Sequence, residues 1–83
     1  MSIIGAQLRN ETYLSLAKKG RYKVISLPTG RNACHKLNKM GIRLEKEIEV
    51  IQNEKHFPIV IRIDRTTLSI GHGMGFKIMV KAI

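Results

Sequence analysis

The 83-residue sequence has no tryptophan, one cysteine and only two prolines. Cys34 cannot form an internal disulfide, and no CxxC or HxxxH spacing surrounds it, which excludes a disulfide framework and the common zinc motifs. No apolar run approaches the roughly 18 residues that a membrane-spanning helix needs. From these absences we expect a soluble, cytoplasmic protein that does not span a membrane.

Acidic residues are also few, because six Asp and Glu stand against fifteen Lys and Arg, for a formal net charge of +9. Residues 1–43 carry +8, residues 44–54 carry −3 and residues 55–83 carry +4. Such a field attracts an acidic protein surface, anionic lipid headgroups or nucleic acid. Single-strand binders also need aromatic stacking platforms, and aromatic residues make up only 5% of this chain. Nucleic-acid binding is therefore an alternative and not the leading interpretation.

The length fits one domain, 1–83, which we divide into an N-terminal arm at 1–12 and a barrel at about 13–82. Alternating apolar residues predict strands at 21–27, 47–51, 58–64, 67–70 and 77–82. Ala33, Leu37 and Met40 are spaced four and three apart, which predicts a helix over 31–40 closed by Gly41 as a left-handed cap. The chain is thus mainly β: a small, partly open barrel of five to six short strands with one inserted short helix.

The segment "GHGMG" at 71–75 raises the question of a phosphate loop. It has neither the GxGxxG spacing nor the Gly-Lys-Ser/Thr ending, and it follows a late strand. We interpret it as a barrel corner in which glycine supplies positive φ or close backbone approach, followed by one helical turn. Met74 would plug the core, His72 would lie at the rim, and Gly73 would be sensitive to substitution.

Catalytic and metal-binding constellations are not apparent. The three histidines fall in three different predicted elements, and Cys34, which adjoins His35 on the helix, diverges from it by about 100°. We expect no enzyme activity, no required cofactor and no dedicated metal site. Weak association of divalent iron or zinc through His72 stays open.

Five pieces of the sequence occur in the order seen in the ferrous iron transport protein A (FeoA) family. They are Leu37-x-x-Met40-Gly41-Ile42, Glu47-Ile-Glu-Val, Pro58-Ile-Val-Ile-Arg-Ile, Leu68-Ser-Ile-Gly-His-Gly-Met74 and Lys77-Ile-Met-Val80. The resemblance covers about residues 13–82 and implies an SH3-like barrel that serves the membrane transporter FeoB in bacterial ferrous iron uptake. The same module resembles the C-terminal domain of iron-dependent repressors, so a metal-sensing or oligomerisation role is a further alternative.

The leading hypothesis is a non-enzymatic interaction module whose partner is the cytoplasmic domain of FeoB. The basic side of the helix would attract the partner electrostatically, and an apolar contact would follow near the helix end and the glycine corner. The candidate partner-binding residues are Arg31, Lys36, Leu37, Lys39, Met40, Gly41, Arg43, Gly71, Gly73 and Met74. Leu37 and Met40 could equally be pure core residues. The sequence does not indicate an oligomeric state.

Overall fold

The computed structural model describes residues 10–83, and within them lie six strands, two short α-helices and one 3₁₀ turn. The strands are β1 (Glu11–Tyr13), β2 (Gly20–Ser26), β3 (Glu47–Gln52), β4 (Ile59–Ile63), β5 (Thr66–Ile70) and β6 (Met79–Ala82). The helices are α1 (Arg31–Lys39) and α2 (His72–Gly75), and the 3₁₀ turn is Leu14–Leu16.

All six strands form one antiparallel sheet in the order β1-β6-β2-β3-β4-β5. The register shifts between Val24 and Ser26 in β2 and between Val50 and Gln52 in β3. Such bulges bend a strand and increase its twist, which helps a short sheet to curl around its own core. Strands β1 and β5 remain the two edges, so the predicted mainly β, partly open architecture with an inserted helix is confirmed.

The core follows the period-two pattern of the strands. In β4, Ile59, Ile61 and Ile63 are at most 3% exposed, whereas the intervening Arg62 is exposed on the other face. Leu37 of α1 and Leu14 of the 3₁₀ turn join the same buried cluster. The helix and the turn therefore lie against the apolar face of the sheet.

The predicted boundaries shift at the ends of the chain. Residues 1–9 of the predicted arm lie outside the described residues, and the sheet already begins at Glu11, because β1 pairs with β6 through Thr12 and Val80. The last strand begins at Met79 and not at Lys77, whose backbone N–H donates to the carbonyl of Met74 and so closes the preceding turn.

Helix α1 ends as the sequence predicts. Gly41 has a φ of +92°, its N–H donates to the carbonyl of Asn38, and the N–H of Ile42 donates to the carbonyl of Leu37. These two bonds form a Schellman motif, and Ile42, which is 1% exposed, makes the apolar contact that accompanies it.

The glycine corner differs from the prediction. Among the described glycines only Gly20 and Gly41 have a positive φ, so the positive-φ interpretation of Gly71, Gly73 and Gly75 is wrong. A Cβ added to Gly73 would meet no atom within 4 Å, because this position faces open space. Close backbone approach is real at Gly75, where an added Cβ would lie 2.7 Å from Ile59 Cδ1 and would also overlap Ser15 Oγ.

Candidate partner-binding groove

A shallow groove lies between helix α1 and the junction of β5 with α2. Its volume is about 140 Å³. Its lining residues are Lys36, Leu37, Met40, Ser69, Ile70, Gly71 and Met74. We call this set the α1–β5 groove.

The helix side of the groove follows from the spacing of its apolar residues. Leu37 is 2% exposed and forms part of the core, so it serves as the floor and not as a free contact residue. Met40 is only half-buried and packs on the edge of the core, so it is neither a pure core residue nor a fully exposed one. The capped end at Gly41 fixes the position of Met40 at one end of the groove.

The opposite side is formed by the end of β5 and the one-turn helix α2. Ile70 is buried, and Gly71 has ordinary extended dihedral angles and no neighbour that would block a side chain. Met74 is half-buried against the core, so it closes the corner only partly and leaves some of its surface in the groove. Methionine adapts its shape to irregular partners, which suits a contact surface with Met40 and Met74 on opposite sides.

The groove lies beside a strongly cationic helix. Helix α1 contains Arg31, Lys36 and Lys39, all exposed, and no acidic residue. None of the three forms an ion pair within residues 10–83. Their positive field is therefore not cancelled by a neighbouring carboxylate, and it favours an acidic partner.

Within the described residues, several basic residues of the sheet, unlike those of helix α1, form ion pairs with carboxylates. Arg62 Nη1 lies 3.1 Å from Glu49 Oε1, and Arg21 Nη2 lies 3.0 Å from Glu47 Oε1. Two further pairs join Lys23 to Glu45 and Lys46 to Asp64. Pairs this exposed contribute little to stability, about 0–1 kcal/mol each, but they neutralise the basic residues of this face.

The structure brings five of the predicted partner-binding residues together: Lys36, Leu37, Met40, Gly71 and Met74. Gly41 and Arg43 line a separate depression beside Lys46 and Asp64. Arg31, Lys39 and Gly73 are exposed but line neither depression. Sequence reasoning missed Ser69 and Ile70, although they directly precede Gly71 on the strand that leads into the corner.

His72 is anchored and not simply displayed at the rim. Its Nε2 lies 2.8 Å from the carbonyl oxygen of Phe57 and 3.0 Å from that of Glu54, both in the β3–β4 loop. Because a carbonyl oxygen only accepts, Nε2 must carry the proton, and only Nδ1 keeps a lone pair for a metal. Within residues 10–83 no three His, Cys, Asp or Glu side chains converge as a metal-binding group.

None of the helices in the described part of the chain is long and apolar enough to cross a bilayer.

The fold thus defines a small SH3-like β domain with a mainly apolar groove beside its basic helix. The family model described as "FeoA domain" matches residues 13–82. The chain therefore belongs to the FeoA family, an accessory family of ferrous iron transport.

Individual relatives agree with this assignment. The chain is 32% identical over 69 residues to "Putative Fe(2+) transport protein A" of Methanocaldococcus jannaschii, which covers 82% of this chain and 83% of the relative. The crystal structure of an iron uptake regulatory protein (FeoA) is 28% identical, with a TM-score of 0.82, and covers 88% of this chain and 99% of its own. The metal-bound structure of ScaR with Cd²⁺ is 19% identical with a TM-score of 0.80, over 86% of this chain and 34% of its own. The likeness to ScaR shows the fold alone.

Proposed function

We propose that this protein is a non-enzymatic, cytoplasmic accessory of ferrous iron uptake that binds the cytoplasmic portion of the FeoB transporter through the α1–β5 groove. Membership of the FeoA family supports the pathway. The observation that carries the proposal of a docking site is the groove itself, in which half-buried Met40 and Met74 lie beside the unpaired charge of Lys36.

The size of the groove supports a protein partner over a small molecule. Sites for drug-sized ligands usually enclose about 300–1,000 Å³. The groove has about 140 Å³, which suits one or two apolar side chains of a partner segment. We expect this segment to carry Asp or Glu next to its apolar residue, because Lys36 and Lys39 lie on the same helix.

Binding would take place in two stages. The field of α1 first steers the acidic segment toward the groove, which raises the association rate and makes it sensitive to salt. Burial of the partner's side chain against Met40 and Met74 then slows dissociation, since each Å² of apolar surface removed from water contributes about 25 cal/mol. The protein needs no reacting group of its own for this role.

Chemical-shift mapping tests the location of the site. ¹⁵N-labelled full chain is titrated with the purified cytoplasmic domain of FeoB, with and without nucleotide and ferrous iron. We expect saturable shifts confined to Lys36–Met40 on the helix and Ile70–Met74 at the corner. Shifts confined to other surfaces, or none at all, would contradict the proposal.

Nucleic-acid binding is the alternative class. The sheet face offers little for it, because Arg21, Lys23, Lys46 and Arg62 are each paired with a carboxylate. A salt-dependent mobility shift with single-stranded RNA or DNA at micromolar protein would revive it. Metal-dependent self-association would instead favour a sensing or oligomerisation module, and a titration with iron or zinc followed by NMR would also report weak binding at His72.

A further inference from the structure

A second apolar surface lies outside the α1–β5 groove and shares no lining residue with it. Leu16 is 61% exposed, Phe76 49% and Tyr13 43%. The rings of Tyr13 and Phe76 contact each other at a tilted angle of 57°, with their centroids 6.1 Å apart. We call Tyr13, Leu16 and Phe76 the apolar face.

Buried residues and hydrogen bonds hold the backbone beneath the apolar face. Leu14 and Ser15 in the same 3₁₀ turn are buried, and Asn53 Nδ2 donates to the carbonyl oxygens of Ser15 and Ala17 at 3.0 and 2.8 Å. Ser15 Oγ in turn donates to the carbonyl of His72 at 2.6 Å. The fold thus holds the exposed side chains outward, so they are poorly placed to collapse onto the core.

Two lysines lie at the apolar face, and two more follow its residues in the chain. Lys18 and Lys55 line the same depression as Leu16 and Phe76, which has a volume of about 570 Å³. Lys19 and Lys77 are exposed and adjoin Lys18 and Phe76 in the chain.

Acidic residues on these elements are fewer than the lysines. Glu54 in the β3–β4 loop accepts a hydrogen bond from Gln52 Nε2, and Glu11 of β1 lies opposite Lys81 in the ladder. The face therefore keeps an excess of positive charge.

We propose that the apolar face and its lysines dock on an anionic lipid surface. Exposed Tyr, Phe and Leu side chains with Lys18 and Lys55 beside them combine the apolar insertion and the electrostatic attraction that reversible membrane binding requires. The depression between Leu16 and Phe76 receives a headgroup phosphate, with Lys18 and Lys55 as its cations. The α1–β5 groove shares no lining residue with this depression, so the two roles can be tested separately.

Vesicle co-sedimentation of the full chain tests the proposal. Vesicles of phosphatidylcholine alone are compared with vesicles of equal parts phosphatidylcholine and phosphatidylglycerol. We expect sedimentation only with the anionic vesicles, and a loss of binding as salt is raised. No sedimentation, or equal sedimentation with both kinds of vesicle, would overturn the proposal.

Matched variants locate the surface. Leu16→Ser should weaken vesicle binding about fivefold or more, whereas Leu44→Ser, at a side chain that is 57% exposed elsewhere, should leave it unchanged. Lys55→Glu should weaken vesicle binding by at least about fivefold, since each lysine near an anionic surface contributes about that factor, while Lys36→Glu should have less effect. Circular dichroism shows whether each variant is folded.

A protein-only role of the apolar face is the opposing outcome. If Leu16→Ser weakens binding to the cytoplasmic domain of FeoB in the absence of lipid and leaves vesicle binding unchanged, the face is a protein interface and the proposal fails. The proposed function depends instead on Lys36 and Met40 in the α1–β5 groove. A failure of the lipid-binding proposal can therefore be distinguished from a failure of the proposed function.

Discussion

The backbone N–H of Ile42 donates to the carbonyl oxygen of Leu37 across 2.9 Å, and this bond closes helix α1 over the core. It forms only because Gly41, between them, takes a φ of +92°. The two residues that it joins are 1% and 2% exposed. Buried residues thus fix the end of helix α1, and with it one side of the α1–β5 groove.

Gly41→Ala should lower the free energy of unfolding by about 1–2 kcal/mol, because a Cβ is strained in the left-handed region. In a domain of this size each kcal/mol lowers Tm by about 4–8 °C, which thermal denaturation followed by circular dichroism measures. Gly73→Ala is the control, since Gly73 has no positive φ and open space around it. An equal loss in both variants would mean that the cap is not the cause.

Gly75→Ala should be destabilising by about 1–3 kcal/mol, because the new methyl group would overlap Ile59 Cδ1 and the side chain of Ser15. Gly71→Ala, four residues earlier, should have little effect, since nothing lies within 4 Å of its Cβ position. Urea denaturation of the two variants distinguishes steric contact from a general intolerance of the glycine corner. Unchanged stability of Gly75→Ala would refute the close approach.

Asn53→Ala should cost about 1–3 kcal/mol, because the carbonyl oxygens of Ser15 and Ala17 lose their donor. Asn38→Ala is a matched change on the exposed side of α1, where the amide makes only a 3.9 Å contact with Cys34 Sγ. The urea concentration at the midpoint of denaturation should fall for Asn53→Ala and stay unchanged for Asn38→Ala. If the midpoint is unchanged in both variants, the hydrogen bonds between the β3–β4 loop and the 3₁₀ turn contribute nothing to stability.

Local patterns in the sequence sufficed for much of the fold. The alternation of Ile59, Ile61 and Ile63 predicted strand β4, and the spacing of Leu37 and Met40 before Gly41 predicted both helix α1 and its cap. Each of these features depends on residues within a few positions of one another, so the sequence displays them directly.

The features that sequence reasoning missed depend on distant parts of the chain. Gly75 is constrained by Ser15, which lies 60 positions earlier, and not by its own backbone angles. The Nε2 of His72 is held by loop carbonyls 15 and 18 positions away. Pairing of β1 with β6 joins the two ends of the described chain, and no local pattern in so short a strand indicates it.

For the candidate site, the sequence indicated the two elements that form the sides of the groove. It did not indicate which basic residues lie beside the groove. Lys36 and Arg43 both follow from the charge of the helix region, yet only Lys36 lines the groove, because the chain turns at Gly41. The different positions of Lys36 and Arg43 depend on the three-dimensional path of the chain after the helix.

The most direct test of the proposed function is the affinity of the full chain for the cytoplasmic domain of FeoB, measured by isothermal titration calorimetry for the wild type and for Lys36→Glu. The exposed position of Lys36 makes this change compatible with folding, and Lys55→Glu, outside the groove, matches it in charge. We expect saturable binding that Lys36→Glu weakens about tenfold and Lys55→Glu leaves nearly unchanged, because an acidic segment would meet a reversed charge at the groove. No binding by the wild type, or equal weakening by both variants, would contradict the account.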